Sequence, residues 1–258
     1  MGGMPVTGAP RSLRVAFWNG SGLAVPEVHR TDQDRGMDDV AQLSPTDRST
    51  VRRGRERART QRAELHAVLD DGLVGHLGVV LGGAPVVLPT AYGRSEDTLY
   101  VHGSTGAASL RAADGAQVCF TVTHLDGIVY ARSVFHHSMN YRCAVVHGTA
   151  RRVTDPAERL LALEVLTEHL APGSWAATRL PDAKELAATA VLALDLGEAS
   201  VKVRTGPPGD DERDLGTDVW AGVLPLRTVL GVPRPDALVR TGARVPDHVR
   251  RRALSSGA

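Results

Sequence analysis

Residues Thr121–Gly148 read TVTHLDGIVYARSVFHHSMNYRCAVVHG. Just upstream and into this run, Val118, Phe120 and Val122 alternate with Cys119, Thr121 and Thr123, the period of a half-buried strand. Leu125-Asp126-Gly127 reads as a turn, so Gln117–Thr123 is expected to pair with Ile128–Val134 across it. A polar loop follows, with His136, His137, Ser138, Asn140, Tyr141 and Arg142 crowded together. Tyr141–Val153 then reads as the longest strand. Hydrogen-bonding side chains at this density between two apolar strands point to a ligand.

Outward from this run the same grammar continues. Val74–Leu81 and Ala84–Tyr92 are strand-like and flank Gly82-Gly83, a two-residue hairpin turn. Gly93–Asp97 turns again, and Thr98–His102 is a third strand. Gly103-Ser104-Thr105-Gly106 leads into a short helix ending near Ala113. Downstream, Asp155 is expected to cap a helix with Pro156 at its first position and Glu158 completing a capping box. Leu160, Leu163, Leu166 and Leu170 form its apolar stripe. Asp182 and Glu185 open another short helix. Val191–Leu196 and Ala199–Arg204 read as a closing hairpin around Gly197, and Val219–Leu226 as a last strand. Short antiparallel strands with tight turns predict a mainly β protein, a Greek-key barrel with peripheral helices. About six core strands leave the interior filled by side chains, so a ligand is expected outside the barrel or at a subunit interface.

The flanks differ. Residues 1–44 carry no sustained period and are expected to be a disordered arm, with Met37 a candidate natural start. The ordered domain is expected over 45–245 and a flexible tail over 246–258. Ser49–Arg62 is dense in arginine but lacks interleaved aromatics, which suits a solvated helix face better than a nucleic-acid surface. The helix is expected to run through Thr60–Asp70, with Leu65, Val68 and Leu69 inward and Gly72 as its stop.

The 258 residues have a formal net charge of +1. That balance argues against nucleic-acid and membrane partners. No apolar run has the length of a membrane span, and no secretory pattern opens the chain. Cys119 and Cys143 are too few for a disulfide framework or a zinc site and read as reduced thiols in the cytoplasm. Lys184 and Lys202 are the only lysines among many arginines, a bias that reads as genomic.

Three places carry chemistry. His102-Gly103-Ser104-Thr105-Gly106-Ala107-Ala108-Ser109 ends a strand and enters a helix. Small residues there admit a ligand to the backbone, hydroxyls donate, and the helix start favours an anion. Its structural alternative is a glycine turn with a capping hydroxyl. Pro89-Thr90-Ala91-Tyr92 lies at the end of a strand expected to neighbour it. His136 and His137, adjacent in extended chain, point to opposite faces and cannot easily share one metal ion. One of them can still ligate a haem iron or bond a ligand. His76 reads as a satisfied barrel histidine.

The stretches HLGVV, APVVLPTAYGR, LYVHGS, VCFTVTHLDGIVYARSVFHHSMNYR, VVHGTA, ASVKVRTGPP and VWAGVLPL resemble the pyridoxamine 5′-phosphate oxidase-like superfamily of FMN-binding split barrels. The similarity is greatest to the flavin-nucleotide-binding branch related to nitroimidazole reductases. It covers roughly residues 45–245, and HHSMNYR is its most specific part. The resemblance implies a cytoplasmic homodimer with FMN at the interface, passing electrons or hydride between a reduced nicotinamide, NAD(P)H, and a small-molecule substrate. By position it places Thr90, Ala91 and Tyr92 near the flavin ring. His102, Ser104, Thr105, Ser109 and Arg111 would surround the phosphate. His136 and His137, as candidate catalytic residues, would border the ring or substrate space with Asn140 and Tyr141. Lys202, Arg204 and Trp220 are further candidates. One departure stands out. Relatives carry Arg or Lys where this chain has Ala108, and a charge-assisted contact there is worth roughly 1.5–3 kcal/mol. Arg111, one helical turn on, is placed to substitute. Ala108 also keeps open the family's other cofactors, haem and deazaflavin, and a flavin-binding role without turnover.

Overall fold

The computed structural model describes residues 42, 43 and 46–254. Met37 and the expected arm lie outside the described residues, except for Gln42 and Leu43. Gln42 bridges Gln61, and Leu43 is buried in the core. The chain then forms β1 (Ala58–Arg59), α1 (Arg62–Asp71), β2 (Gly75–Leu81), β3 (Ala84–Thr90), β4 (Tyr92–Ser95) and β5 (Thr98–Ser104). Next come α2 (Ala108–Ala113), β6 (Gln117–Tyr130), β7 (Ser138–Thr149), β8 (Arg151–Arg152) and α3 (Pro156–Leu170). α4 (Ala183–Ala188), β9 (Thr189–Asp195), β10 (Glu198–Arg204), β11 (Gly222–Pro225) and α5 (Asp247–Leu254) complete the order.

All strand pairing is antiparallel. One sheet runs β1-β10-β7-β6-β2-β3, with β11 added beside the far half of β6; the other runs β4-β5-β9-β8. Neither sheet closes on itself, and their inner faces share one core. This is the split barrel expected from the sequence. Phe120, Leu65, Leu69, Leu99 and Leu196 are among its fully buried side chains. Gly82 and Gly83 turn β2 into β3 with φ of 60° and 82°, the left-handed pair that a two-residue hairpin requires.

Two expected hairpins are absent. Leu125-Asp126-Gly127 is not a turn: β6 runs straight through it, and the register with β7 merely slips between Leu125 and Gly127. Both edges of the first half of β6 are already taken, by β2 and β7, so Ile128–Tyr130 has no edge to fold back upon. Asp126 becomes a bulge instead, held by Arg142 through two hydrogen bonds of 3.1 Å. Similarly, β9 and β10 do not pair. At Gly197 the chain leaves one sheet for the other, where β9 lies between β5 and β8 and β10 between β7 and β1. Ala190–Leu194 is buried on both faces, against the barrel core on one side and α3 on the other.

The arginine-rich segment is not a helix face. Gly54 takes φ 65°, Arg55–Arg57 make one 3-10 turn, and Ala58–Arg59 pair with the edge of β10. The helix starts only at Arg62, with Leu65, Val68 and Leu69 buried as expected. Asp155 caps α3 by accepting from the Glu158 amide at 2.7 Å. Glu158 does not close a capping box, because Arg151 and Tyr100 take its carboxylate. The reciprocal box forms at Asp182 and Glu185. The C-terminal stretch expected to be flexible is helical over Asp247–Leu254. Among the described residues, no helix is long and apolar enough to cross a membrane.

Three side chains tie down the end of α1. Tyr92 donates its hydroxyl to the Leu69 carbonyl at 2.5 Å, and His124 and His169 donate through Nε2 to Val68 (2.9 Å) and Gly72 (2.5 Å). α3 rests on β4 at Gly93, where a Cβ would meet the Val165 carbonyl at 2.8 Å and Leu166 backbone at 3.0 Å. Gly93→Ala is therefore expected to destabilise the fold by about 1–3 kcal/mol, read as a lower midpoint in urea unfolding.

Candidate functional site

The turn after β5 is built for close approach. Ser104 Oγ accepts the Gly106 amide at 3.1 Å, and the Ala107 amide bonds the Ser104 carbonyl at 2.9 Å. The Thr105 amide bonds Ala188, which anchors the turn to the start of β9. Gly103 packs against Leu110, whose Cδ1 stands 2.8 Å from where a Cβ would be and would have to shift to admit one. Arg111 folds back over the turn and donates to the carbonyls of Gly106 and Thr105, the latter at 3.4 Å. Its guanidinium is exposed, as are Ser104 and Ala108; Thr105 and Ser109 are half-buried. The sequence-predicted phosphate residues thus do come together, with one cation fixed on the loop rather than at position 108. His102, at the turn's base, is exposed, and partial desolvation lowers its pKa.

Tyr92 pairs with Val101 in the β4–β5 ladder, which sets Ala91 and His102 beside that pair. Thr90 and Ala91 are partly exposed there. Tyr92 is not available to a ligand, contrary to the sequence expectation. It is fully buried, bonded to Leu69, packed edge-on against Phe120 and 4.9 Å from the His169 ring. Alternation along the strand gives the reason, because Tyr92 falls on the inner face. His76 is the converse case. It lies exposed on the outer face of β2, not within the barrel.

The loop between β6 and β7 sits elsewhere. A 3-10 turn, Val134–His136, displays Phe135 at 88% exposure. His136 and His137 diverge as extended chain requires. His136 Nε2 is 3.3 Å from Asp211, whereas His137 donates from Nδ1 to the Ser133 carbonyl at 2.9 Å and packs near the Tyr130 ring. A carbonyl only accepts, so Nδ1 of His137 carries the proton and Nε2 keeps a lone pair. Asn140 is buried, donating to the Gly206 carbonyl at 3.1 Å and accepting from Arg204. Tyr141 is half-buried opposite Arg204 on β10. Arg132 is clasped by Asp210, Lys202 bonds the Arg53 carbonyl, and Trp220 stands exposed beside Tyr130.

A cavity of about 810 Å³ opens elsewhere on the larger sheet. Its walls come from the end of α1 (Asp71–Val74), the middle of β6 (Thr123–Asp126), Arg142, and Leu226–Thr228. Arg142 crosses it, bonded to Asp126 and, at 2.6 Å, to Asp71. Val74 adjoins Gly75, the ladder partner of Thr90, so the cavity borders the Thr90 end of the site. Sequence reasoning missed these walls. One available signal was the pair Asp126 and Arg142, but Leu125-Asp126-Gly127 read as a turn. His136 and His137 follow the far end of β6 in the larger sheet, whereas the Ser104–Gly106 turn follows β5 in the other.

The outer face of the larger sheet is partly apolar. Val87, Gly78, Cys119 and His147 stand in one cross-strand row, and Pro89, His76, Thr121 and Val145 in the next. Val87 is 65% exposed.

The profile of the family described as pyridoxamine 5′-phosphate oxidase matches residues 61–203. None of the curated proteins matches the chain significantly. Among solved structures, the flavocytochrome Anf3 from Azotobacter vinelandii shares 37% identity, with 81% of this chain and 98% of that one aligned at a TM-score of 0.77. A protein from Mycobacterium smegmatis described as binding FAD and haem shares 40% identity over 76% of this chain and 97% of its own, at a TM-score of 0.74. The open two-sheet barrel, the glycine-hydroxyl turn after β5 and a profile match across more than half the sequence agree: the chain belongs to the pyridoxamine 5′-phosphate oxidase family.

Proposed function

We propose that this protein is a redox protein holding both a flavin and a haem, and that it works as a homodimer on a small-molecule substrate. The observation that carries this is the likeness, at 37% and 40% identity over nearly the whole of each relative, to a flavocytochrome and to an FAD- and haem-binding protein. Flavin and haem, read from the sequence as rivals, then become joint occupants. FMN is the expected nucleotide from the sequence, and FAD is the alternative that the Mycobacterium smegmatis relative raises.

The chain's own residues fit such a reading. Ser104, Thr105 and the open side of Gly106, where a Cβ would meet only Ser104 Oγ at 3.5 Å, suit a flavin phosphate. Arg111 offers the charge that Ala108 lacks. Thr90 and Ala91, small and partly exposed, would lie along the flavin ring. The cavity walled by Val74, Thr123 and Leu125 supplies room beside them. A flavin supplies hydride and single-electron transfer; a haem supplies single-electron chemistry at its iron. For the haem, the candidate ligands are neutral histidines. His137 has its Nδ1 proton fixed by a carbonyl, the arrangement that orients a metal-binding imidazole. His102 is exposed at the turn, with its pKa lowered by partial desolvation. His136 Nε2 is buried without a hydrogen-bond partner, 3.3 Å from Asp211. The protein's part is to bind, orient and shield the cofactors. The dimer is carried over from the family resemblance read in the sequence, which would set the flavin between two copies of the chain.

The purified or reconstituted protein is expected to show both oxidised-flavin bands and a Soret band. A protein that takes up neither cofactor would overturn the proposal, and flavin bands without oxidation of NAD(P)H would leave a flavin-binding protein without turnover. Ala108→Arg is expected to tighten flavin binding about tenfold or more, measured by quenching of flavin fluorescence; unchanged affinity would remove the phosphate from this turn. Of His102→Ala, His136→Ala and His137→Ala, one is expected to abolish the Soret band of the reconstituted protein while the flavin bands persist.

A further inference from the structure

Residues 206–218, between β10 and β11, fold back over the loop 132–137. They include five acids and one arginine. The root of this segment is fixed by β7 and β10: Asn140 donates to the Gly206 carbonyl at 3.1 Å, and Arg204 to the Pro207 carbonyl at 3.4 Å. Beyond the root, no residue of the segment is buried as a whole. One side chain nevertheless goes in. Asp210, with its side chain 2% exposed, lays its carboxylate across Arg132. Oδ1 accepts the Arg132 backbone amide at 2.9 Å, and Oδ2 accepts guanidinium Nη1 at 2.8 Å. Beside it, Asp211 lies 3.3 Å from His136 Nε2 and 3.3 Å from Arg213. Further bonds run within the segment, from the Asp214 and Leu215 amides to the Asp211 and Glu212 carbonyls. The docked arrangement leaves polar groups unpaired: Arg132 Nε, His136 Nε2 and Asp214 Oδ2 are enclosed without a hydrogen-bond partner. Such groups oppose the state that encloses them.

We propose that Asp210 is a tethered stand-in for a ligand: the anion of a small carboxylic acid takes the same two donors of Arg132 and frees residues 206–218 from the loop. The occupant on view is itself a carboxylate, with one oxygen on an amide and the other on a guanidinium, both charge-assisted bonds. Its tether gives Asp210 a high local concentration. A free acid offsets that advantage with donors that Asp210 leaves unused, Arg132 Nε and, when it carries a proton, His136 Nε2. Release of the segment also removes Asp211, Glu212 and Asp214 with Asp210, so Arg132 and His136 then set the local charge. The acid would lie beside His136 and His137. Its binding needs neither flavin nor haem; only its use as the redox substrate rests on the proposed function.

The test is titration of the isotope-labelled full-length protein with acetate, at constant ionic strength balanced by sodium chloride, followed at the Arg132 amide resonance. Asp210→Ala is expected to bind acetate about tenfold or more tightly than the wild type, and acetamide is expected to have no effect. Adding Arg132→Gln to that variant is expected to abolish acetate binding. In the wild type, acetate is expected to speed deuterium exchange at the Asp214 and Leu215 amides about threefold or more, where chloride does not, and to leave Val122 and Val146 of β6 and β7 unchanged. Equal affinity of Asp210→Ala and wild type for acetate, or binding that survives Arg132→Gln, would overturn the proposal. So would wild-type exchange that acetate leaves unaltered, which would reduce the Asp210–Arg132 pair to a fixed anchor of the loop. Asp210→Asn repeats the first measurement with a side chain of the same size, and the wild-type exchange needs no variant, so a substitution that fails to fold does not remove the test.

Discussion

The last turn of α1 is where the molecule is held together. A helix ends with carbonyls that have no partner within it, and here those carbonyls are enclosed. Tyr92 from β4, His124 from β6 and His169 from α3 each supply a donor to Leu69, Val68 and Gly72. A typical bond of this kind contributes about 1 kcal/mol net, but a buried carbonyl left without one costs about 1–3 kcal/mol. The larger effect is therefore specificity of position. One helix end is fastened at once to both sheets and to the outer helix. Asp71–Val74, the continuation of that end, forms one wall of the main cavity. Burial pushes the Tyr92 hydroxyl above the usual tyrosine range, with Asp70 and Asp71 adding to the shift, so it remains a donor at any pH the fold survives.

The second constraint is the parting of the sheets at Gly197. Because β9 and β10 go to different sheets, the barrel stays split. The outer face of the larger sheet is left with valines, threonines and two cysteines facing outward. The candidate site residues lie on strand ends and loops, while the interior is spent on packing. The arginine-rich composition finds its use in the same framework. Arg142 spans Asp126 and Asp71, Arg94 forks Asp70, Arg62 meets Asp97, and Arg132 clasps Asp210. Apart from Arg132–Asp210, whose carboxylate is buried, these pairs are partly exposed and each contributes only about 0–1 kcal/mol. Their service is to pin loops and neutralise carboxylates near the site, not to present a basic surface.

Local chemistry was legible from the sequence wherever one segment decides its own conformation. Gly82-Gly83 demanded a tight hairpin, Asp155-Pro156 a helix start, and the alternation of Val118, Phe120 and Val122 a half-buried strand; each forms. The glycine-hydroxyl run after His102 was recognisable as a tight turn into a helix, because small residues and hydroxyls act through the backbone nearby. Which partner a strand takes is not a local property. Leu125-Asp126-Gly127 is turn-like in isolation, yet β2 and β7 occupy both edges of β6 and only a bulge is left to it. Gly197 looks like a hairpin turn, yet it hands the chain from one sheet to the other. Tyr92 belonged by neighbourhood to the ligand stretch, and one step of strand alternation buried it instead. The cavity among Asp71–Val74, Thr123–Asp126 and Leu226–Thr228 joins segments more than a hundred residues apart, so only the tertiary structure could assemble it.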